Sequence, residues 1–467
     1  MYKAMGEKIE KVDVRPSGVA LIPFLLFVVI YLGAGIILDR MGVEMAFYQF
    51  PATTAVLLAV ICAFVLFRGS MNEKFSTFAR GVGDENMVTM CMIFLLSGAF
   101  TRVAGSMGAV SSVVNLGLSL VPGYLMAAGI FIVACFMSMA TGTSMGTIAA
   151  VAPIAIGVAE AAGLPMPLMM ATVVGGAMFG DNLSIISDTT IAATKLQGCS
   201  LRDKFRLNFW LAIPAAAITI TLLLIFARPD AAAAASVGDW NLLLILPYLF
   251  VLIFSLIGIN VFIVLVFGIF FAGIVGIFVG EMTALTVAQE IHQGFLSMMP
   301  VFLTSIFIGG LASLTTKAGG LQWLVNRVRH MIRGPKSAEI GISAMISLAD
   351  MAIANNTVAI IVTGPVAREI AEEFQVDPRR SAALLDVWSC VFQGAIPYGA
   401  QLLMVVGLAG GTVSAFEIMP FLWYQWLLAA FALLSIWIPF ANGTMRKNPW
   451  NFKHWKSEEE LAGKKEL

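Results

Sequence analysis

Runs of apolar residues recur along the whole chain, and their lengths say what they are. Predominantly apolar runs cover 20–38, 51–67, 87–104, 207–227, 240–257, 260–280, 296–314 and 418–440. Each approaches the roughly 20 residues that an α-helix needs to cross a bilayer core, so these segments are predicted to span a membrane. Less regular blocks lie between them. Residues 106–121 and 320–333 are short and amphipathic; the second carries Arg327, Arg329 and Arg333 and is expected to lie at the interface. Residues 123–159 and 338–373 are apolar pairs split by polar knots, Thr141 to Thr147 and Asn355 to Thr357. Residues 168–194 and 381–404 are interrupted midway, by Gly180 to Ser184 and by Gln393 to Gly399 with Pro397 inside.

The two halves share this order of blocks. Gly81 pairs with Gly294, Pro122 with Pro335, Pro153 with Pro365, Glu160 with Glu372 and Phe179 with Phe392, at offsets of 212 or 213 residues. A duplicated unit is the natural reading. If the apolar pairs are re-entrant hairpins and the interrupted segments cross once, each half crosses an odd number of times and the second is inverted. The expected fold is an all-α polytopic membrane protein of two inverted-topology repeats, each with a re-entrant hairpin and a broken helix. Its parts are an N-terminal segment 1–19, repeats at 20–230 and 231–440, and a tail at 441–467. In this arrangement 25 of the 28 basic residues fall on one side, leaving Arg40, Arg102 and Arg228 opposite. The basic side belongs in the cytoplasm, which places both termini there. The first apolar run follows a charged lead with no small-residue cleavage site after it, so it reads as a helix rather than a signal peptide.

Composition removes several function classes. Of 467 residues, 59% are hydrophobic and 12% charged, with mean hydropathy +0.90 and a net charge of zero. Nucleic acid is not an expected partner, whereas membrane lipid is. No phosphate-binding glycine loop occurs, so an ATP-driven pump is not expected. Cys62, Cys91, Cys135, Cys199 and Cys390 read as small hydrophobes, and three scattered histidines cannot build a metal centre. No cofactor is expected.

The candidate chemistry is acidic. A charge at bilayer depth costs on the order of 2.5–3.5 kcal/mol on insertion scales, so its presence points to function. Asp181, Asp188, Asp350 and Asp386 lie deep within the predicted spans, and no Lys or Arg is placed centrally to pair with them. Such carboxylates call for protons, metal cations or a cationic ligand. In the first interrupted segment Asp181, Asn182, Ser184, Ser187, Asp188 and Thr189 supply the oxygen ligands that hard cations prefer, with sodium expected at Asp181 and Asp188. Gly180 would let the backbone unwind there. The alternative is a polar patch that only joins helices. The knots offer Thr141, Thr143 and Ser144 in one hairpin and Asn355, Asn356 and Thr357 in the other, where helix N-terminal amides could hold an ion or an anionic group. Close packing through Gly142 and Gly146 is the competing reading. Asp350 is a second ion ligand or a protonated buried acid. Asp386 is a site residue beside Trp388, or a helix residue paired with Arg379 or Arg380. Gln393 and Pro397 mark either a substrate-facing break or a plain kink.

The string Phe179-Gly-Asp-Asn-Leu-Ser-Ile-Ile-Ser-Asp-Thr-Thr190 resembles the NhaC-type sodium/proton antiporter family, and Asp350 to Thr357 and Asp386 to Cys390 are similar to its second half. The familiar motif often has Pro where this chain has Ile185. The resemblance covers about 20–440. It implies the ion-transporter superfamily, with elevator-type scaffold and transport domains, a bacterial inner-membrane location and a homodimer. It also implies secondary active exchange of sodium for protons by alternating access, with no enzymatic activity. Members also move small organic substrates such as malate, lactate or amino acids, so a sodium- or proton-coupled carrier of such a solute is the alternative. An intramembrane aspartyl protease would need Gly-x-Gly-Asp, and Met178-Phe179-Gly180 precedes Asp181 instead. A passive channel fits duplicated hairpins less well than alternating access does.

Overall fold

The computed structural model describes residues 15–41, 43, 49–228, 239–257, 259–450 and 452. Among these residues all regular structure is helical. The expectations for residues 1–14, the 229–238 junction and most of the C-terminal tail lie outside the described residues.

The first half contributes α1 (Ile22–Arg40), α2 (Ala52–Leu66), α3 (Met71–Val82), α4 (Glu85–Ser106), α5 (Ala109–Leu120), α6 (Met126–Thr141), α7 (Ser144–Ala162), α8 (Met166–Leu183), α9 (Asp188–Gln197) and α10 (Leu201–Phe226). The second contributes α11 (Leu242–Leu256), α12 (Val261–Val279), α13 (Ala284–Lys317), α14 (Gly320–Arg329), α15 (Pro335–Ile353), α16 (Asn356–Glu373), α17 (Pro378–Ala395), α18 (Ala400–Leu408), α19 (Ala415–Ile418) and α20 (Trp423–Trp437). Nine helical stretches among the described residues are long and apolar enough to cross a membrane, or ten if the bent stretch 415–437 is one span. Val65 and Phe278 are 81% and 82% exposed, a surface that hydrocarbon, not water, would cover. The chain is a multi-pass membrane protein.

Sequence chemistry sets the helix ends. Ser70 and Glu73 form a reciprocal capping box that starts α3. Asn241, Asn260 and Thr283 cap α11, α12 and α13 with their side-chain oxygens. The run predicted at 296–314 belongs to a longer helix, since α13 has 34 residues and accommodates Pro300 without ending.

Two hairpins and two broken helices lie at the centre. The α6–α7 hairpin turns at Gly142, whose φ of +71° suits glycine. The α15–α16 hairpin turns at Ala354, with φ +54° on a residue that has a Cβ. Such a conformation is sparsely populated for alanine and stores local strain. Both breaks have local causes. At Ser184 to Ser187 the Ser184 hydroxyl accepts from Ile186 N and donates to Met139 O, so it competes with the helical ladder. At Ile396 to Gly399, Pro397 has no amide hydrogen and holds Ile396 extended, at ψ +129°. Gly180 has a different role from the one expected. It is helical and buried in α8, and a Cβ there would collide with the α6 backbone at Cys135 O and Met139 N. It lets α8 approach α6 closely; the unwinding begins four residues later.

Candidate functional site

Asp181 lies in the last turn of α8, 5% exposed. Its Oδ2 accepts from Ser144 Oγ at 3.0 Å and its Oδ1 from Ser187 Oγ at 2.5 Å. Ser144 opens α7 at the first hairpin tip, and Ser187 immediately precedes α9, so one carboxylate ties the tip to both sides of the break. Ser187 stands at the helix N-cap yet makes no capping bond; its hydroxyl is committed to Asp181. Thr189 Oγ1 lies 2.9 Å from Ser187 Oγ and extends the cluster.

The same network crosses to the second half. Gln401 Nε2 donates to Ser144 Oγ at 3.1 Å, and Gln393 Nε2 donates to Gln401 Oε1 at 2.8 Å and to Ala354 O at 3.5 Å. Asp181, the first tip, both sides of the second break and the turn of the second hairpin are therefore one hydrogen-bonded chain. Tyr398 closes the second break by donating to Met351 O at 2.7 Å.

Asp350 lies near the end of α15, fully buried, and neither carboxylate oxygen has a hydrogen-bond partner among the described residues. Asn182 Nδ2, Gln393 Oε1, Trp388 Nε1, Tyr424 OH and Asp386 Oδ1 are likewise buried with no hydrogen-bond partner among the described residues. Buried polar atoms are normally satisfied.

Asp386 is fully buried and is not paired with Arg379 or Arg380. Arg379 binds Asp377 at 2.6 Å and Arg380 binds Glu339 at 2.9 Å. The partner of Asp386 is Lys204, at 2.5 Å, with Asn208 Nδ2 donating to the same oxygen at 2.8 Å. The expectation that no basic residue sits among the carboxylates is thus overturned. Residues 195–206 fall between the runs predicted at 168–194 and 207–227, but α10 begins at Leu201, and Lys204, Asn208, Leu211 and Ala215 share its buried face. That three- and four-residue spacing was the available signal.

The remaining predicted residues separate. Asp188 is exposed at the first position of α9, and the hydroxyl bonds of the cluster go to Asp181. Thr143 caps α7 by accepting from Gly146 N, and Asn355 caps α16 by accepting from Val358 N at 3.0 Å. Both have structural work at the tips. Thr141, Asn356 and Thr357 are half-buried; Thr141 bonds within its own tip, and Asn356 accepts from the Thr357 amide. Asn182 and Ser184 are buried in the break, and Pro397 is half-buried. Trp388 packs beside Phe392 with ring centres 6.2 Å apart. A cavity of about 470 Å³ runs from Arg80, Asp84 and Lys317 to Asn355 at the second tip. Gln401, Lys204, Asn208 and Thr190 belong to the site without having been expected there.

Several known proteins are similar to this chain. A malate-2H(+)/Na(+)-lactate antiporter of Bacillus subtilis is 23% identical over 390 residues, 75% of this chain and 81% of its own length. The Na(+)/H(+) antiporter NhaC of Alkalihalophilus pseudofirmus is 28% identical over 207 residues, 44% of each chain. NhaC of Bacillus subtilis is 30% identical over 159 residues, 34% of each. Among solved structures, the YdaH transporter of Alcanivorax borkumensis shares 16% identity over 79% of this chain and 90% of its own, with a TM-score of 0.39. The profile of the Na+/H+ antiporter family matches residues 9–228 and 233–440, nearly the whole membrane region, and the chain belongs to that family.

Proposed function

We propose that this protein exchanges sodium for protons across a bacterial inner membrane, with Asp181 as the residue for which the two ions compete. The observation that carries this reading is the environment of Asp181: a buried carboxylate held by two hydroxyls, Ser144 and Ser187, with no Lys or Arg within ion-pair distance among the described residues. A hydroxyl can donate to a carboxylate or turn its lone pairs toward a cation. The same three side chains therefore suit a sodium ion and, when sodium leaves, a proton on Asp181.

Alternating access through two inverted repeats and an elevator-like motion of the site is part of the proposal. It is supported by a constant offset of 212 positions. That offset relates Gly142 to Ala354, Thr143 to Asn355, Pro153 to Pro365, and the Ser184–Ser187 break to the Ile396–Gly399 break. The cavity that reaches Asn355 offers one approach to the site. Cytoplasmic termini and a homodimer in the lipid complete this reading.

The test is sodium-driven pH change in proteoliposomes. Asp181→Asn should abolish it while the purified protein still melts cooperatively, and wild-type exchange by that variant would remove Asp181 from the mechanism. A second reading is favoured by the malate-2H(+)/Na(+)-lactate antiporter, which covers more of this chain than the NhaC relatives do. In that case the unpaired Trp388 Nε1, Gln393 Oε1 and Tyr424 OH would meet a small carboxylate or hydroxy acid. Counterflow of labelled malate or lactate, absent from liposomes without the protein, would establish that reading; sodium-driven pH change with no organic solute present favours ions alone.

A further inference from the structure

Where the α8 helix ends, the carbonyl of Asn182 loses its helical partner, because Ile186 N bonds to Ser184 Oγ instead. That carbonyl accepts from Lys204 Nζ at 2.7 Å. The same ammonium lies 2.6 Å from Thr190 Oγ1 and 2.5 Å from Asp386 Oδ2. Lys204 is fully buried. Its nitrogen is thus held by three oxygens: one from the broken end of α8, one from α9 and one from α17. A freed backbone carbonyl, a hydroxyl and a carboxylate are also what a hard monovalent cation takes as ligands. The orphaned Oδ1 of Asp386 lies on the same carboxylate.

We propose that Lys204 Nζ is a tethered cation, occupying a monovalent-cation site built from Asp386, Asn182 O and Thr190 and so keeping it from mobile ions. The site at Asp181 remains open to exchange; the site at Asp386 carries its own charge on a side chain. Asp386 thereby stabilises the junction of the two broken helices without contributing cargo, and Lys204 limits the number of ions the protein binds. Removing the lysine side chain leaves room lined by the same oxygens, which a small cation from the medium would enter.

The experiment reads binding through stability, so it does not depend on the transport role of Asp181. Full-length protein carrying Asp181→Asn is the background. It is melted in detergent at constant ionic strength while choline chloride is replaced by sodium, potassium or ammonium chloride. Adding Lys204→Ala should introduce a saturable upward shift in Tm with a small cation over choline, beyond any shift in the background. Adding Asp386→Asn as well should abolish that gain. Equal responses with and without Lys204, or a gain that survives Asp386→Asn, would overturn the proposal. Inability to isolate the Lys204→Ala protein in any of the salts would overturn it too, since a cation site would have filled from the medium. Failure of sodium/proton exchange in the wild-type protein, read separately as pH change, bears only on Asp181.

Discussion

Gln401 and Ser144 are 257 positions apart in the chain, and the Gln401 amide donates to the Ser144 hydroxyl across 3.1 Å. Ser144 passes that contact to Asp181, and Gln393 extends it to the turn of the second hairpin. The orientation of the Asp181 carboxylate is therefore set partly from the other half of the chain.

Gln401→Ala removes this distant support and leaves Asp181 in place. One neutral hydrogen bond contributes about 1 kcal/mol, so the sodium concentration for half-maximal exchange should rise by roughly five- to tenfold. Initial rates of sodium-driven pH change against sodium concentration measure it. An unchanged KM would show that the second half does not hold the site.

The two aspartates of the first break should behave differently. Asp188 is exposed on the first turn of α9, outside the hydroxyl cluster. Asp188→Asn is expected to keep sodium affinity within about threefold, at a stability cost below about 1 kcal/mol from the lost helix-dipole interaction. Asp181→Asn loses exchange. Equal loss in both variants would mean that Asp188 turns inward during the cycle.

Asp386 and Asp350 offer a test of opposite signs. Asp386→Asn leaves Lys204 charged and unpaired, a loss worth about 3–5 kcal/mol in buried pairs, and should lower Tm markedly. Asp350 has no partner to strand, so Asp350→Asn should leave Tm equal or higher. Differential scanning of both variants at neutral pH decides this.

The hairpin tips provide a backbone prediction. Ala354 adopts φ +54°, a conformation that costs an alanine roughly 1–2 kcal/mol relative to glycine. Ala354→Gly should stabilise the protein by up to about 1 kcal/mol after the added unfolded-state entropy. Gly142→Ala should destabilise it, since that residue has φ +71° and its new Cβ would meet Ile186 Cγ1 at 2.8 Å. Thermal unfolding reports both.

The helices and their interruptions were legible because they are local. Run length, Pro397 and the polar knots act within a few residues, and helix formation responds to them wherever the chain goes; the Ser184 hydroxyl that ends α8 was read only as a cation ligand. A nearly constant offset between halves was visible for the same reason. The stretch 195–206, outside the predicted runs, shows the limit. A hydropathy run starting at 207 hid the first turns of α10, and whether Lys204 faces lipid, water or Asp386 depends on which helix packs beside it.

The sequence by itself determined most of the apolar helices, the approximate places where two of them break, and which polar residues lie beside those breaks. The pairing of those residues was decided by tertiary structure. In an unbroken helix Asp181 and Asp188, seven positions apart, would lie on one face. Four extended or irregular residues between α8 and α9 reset that face, turning Asp188 outward and leaving Asp181 among Ser144 and Ser187. The lysine that neutralises Asp386 comes from 182 positions earlier. Proximity across such distances follows from packing, which no local pattern encodes.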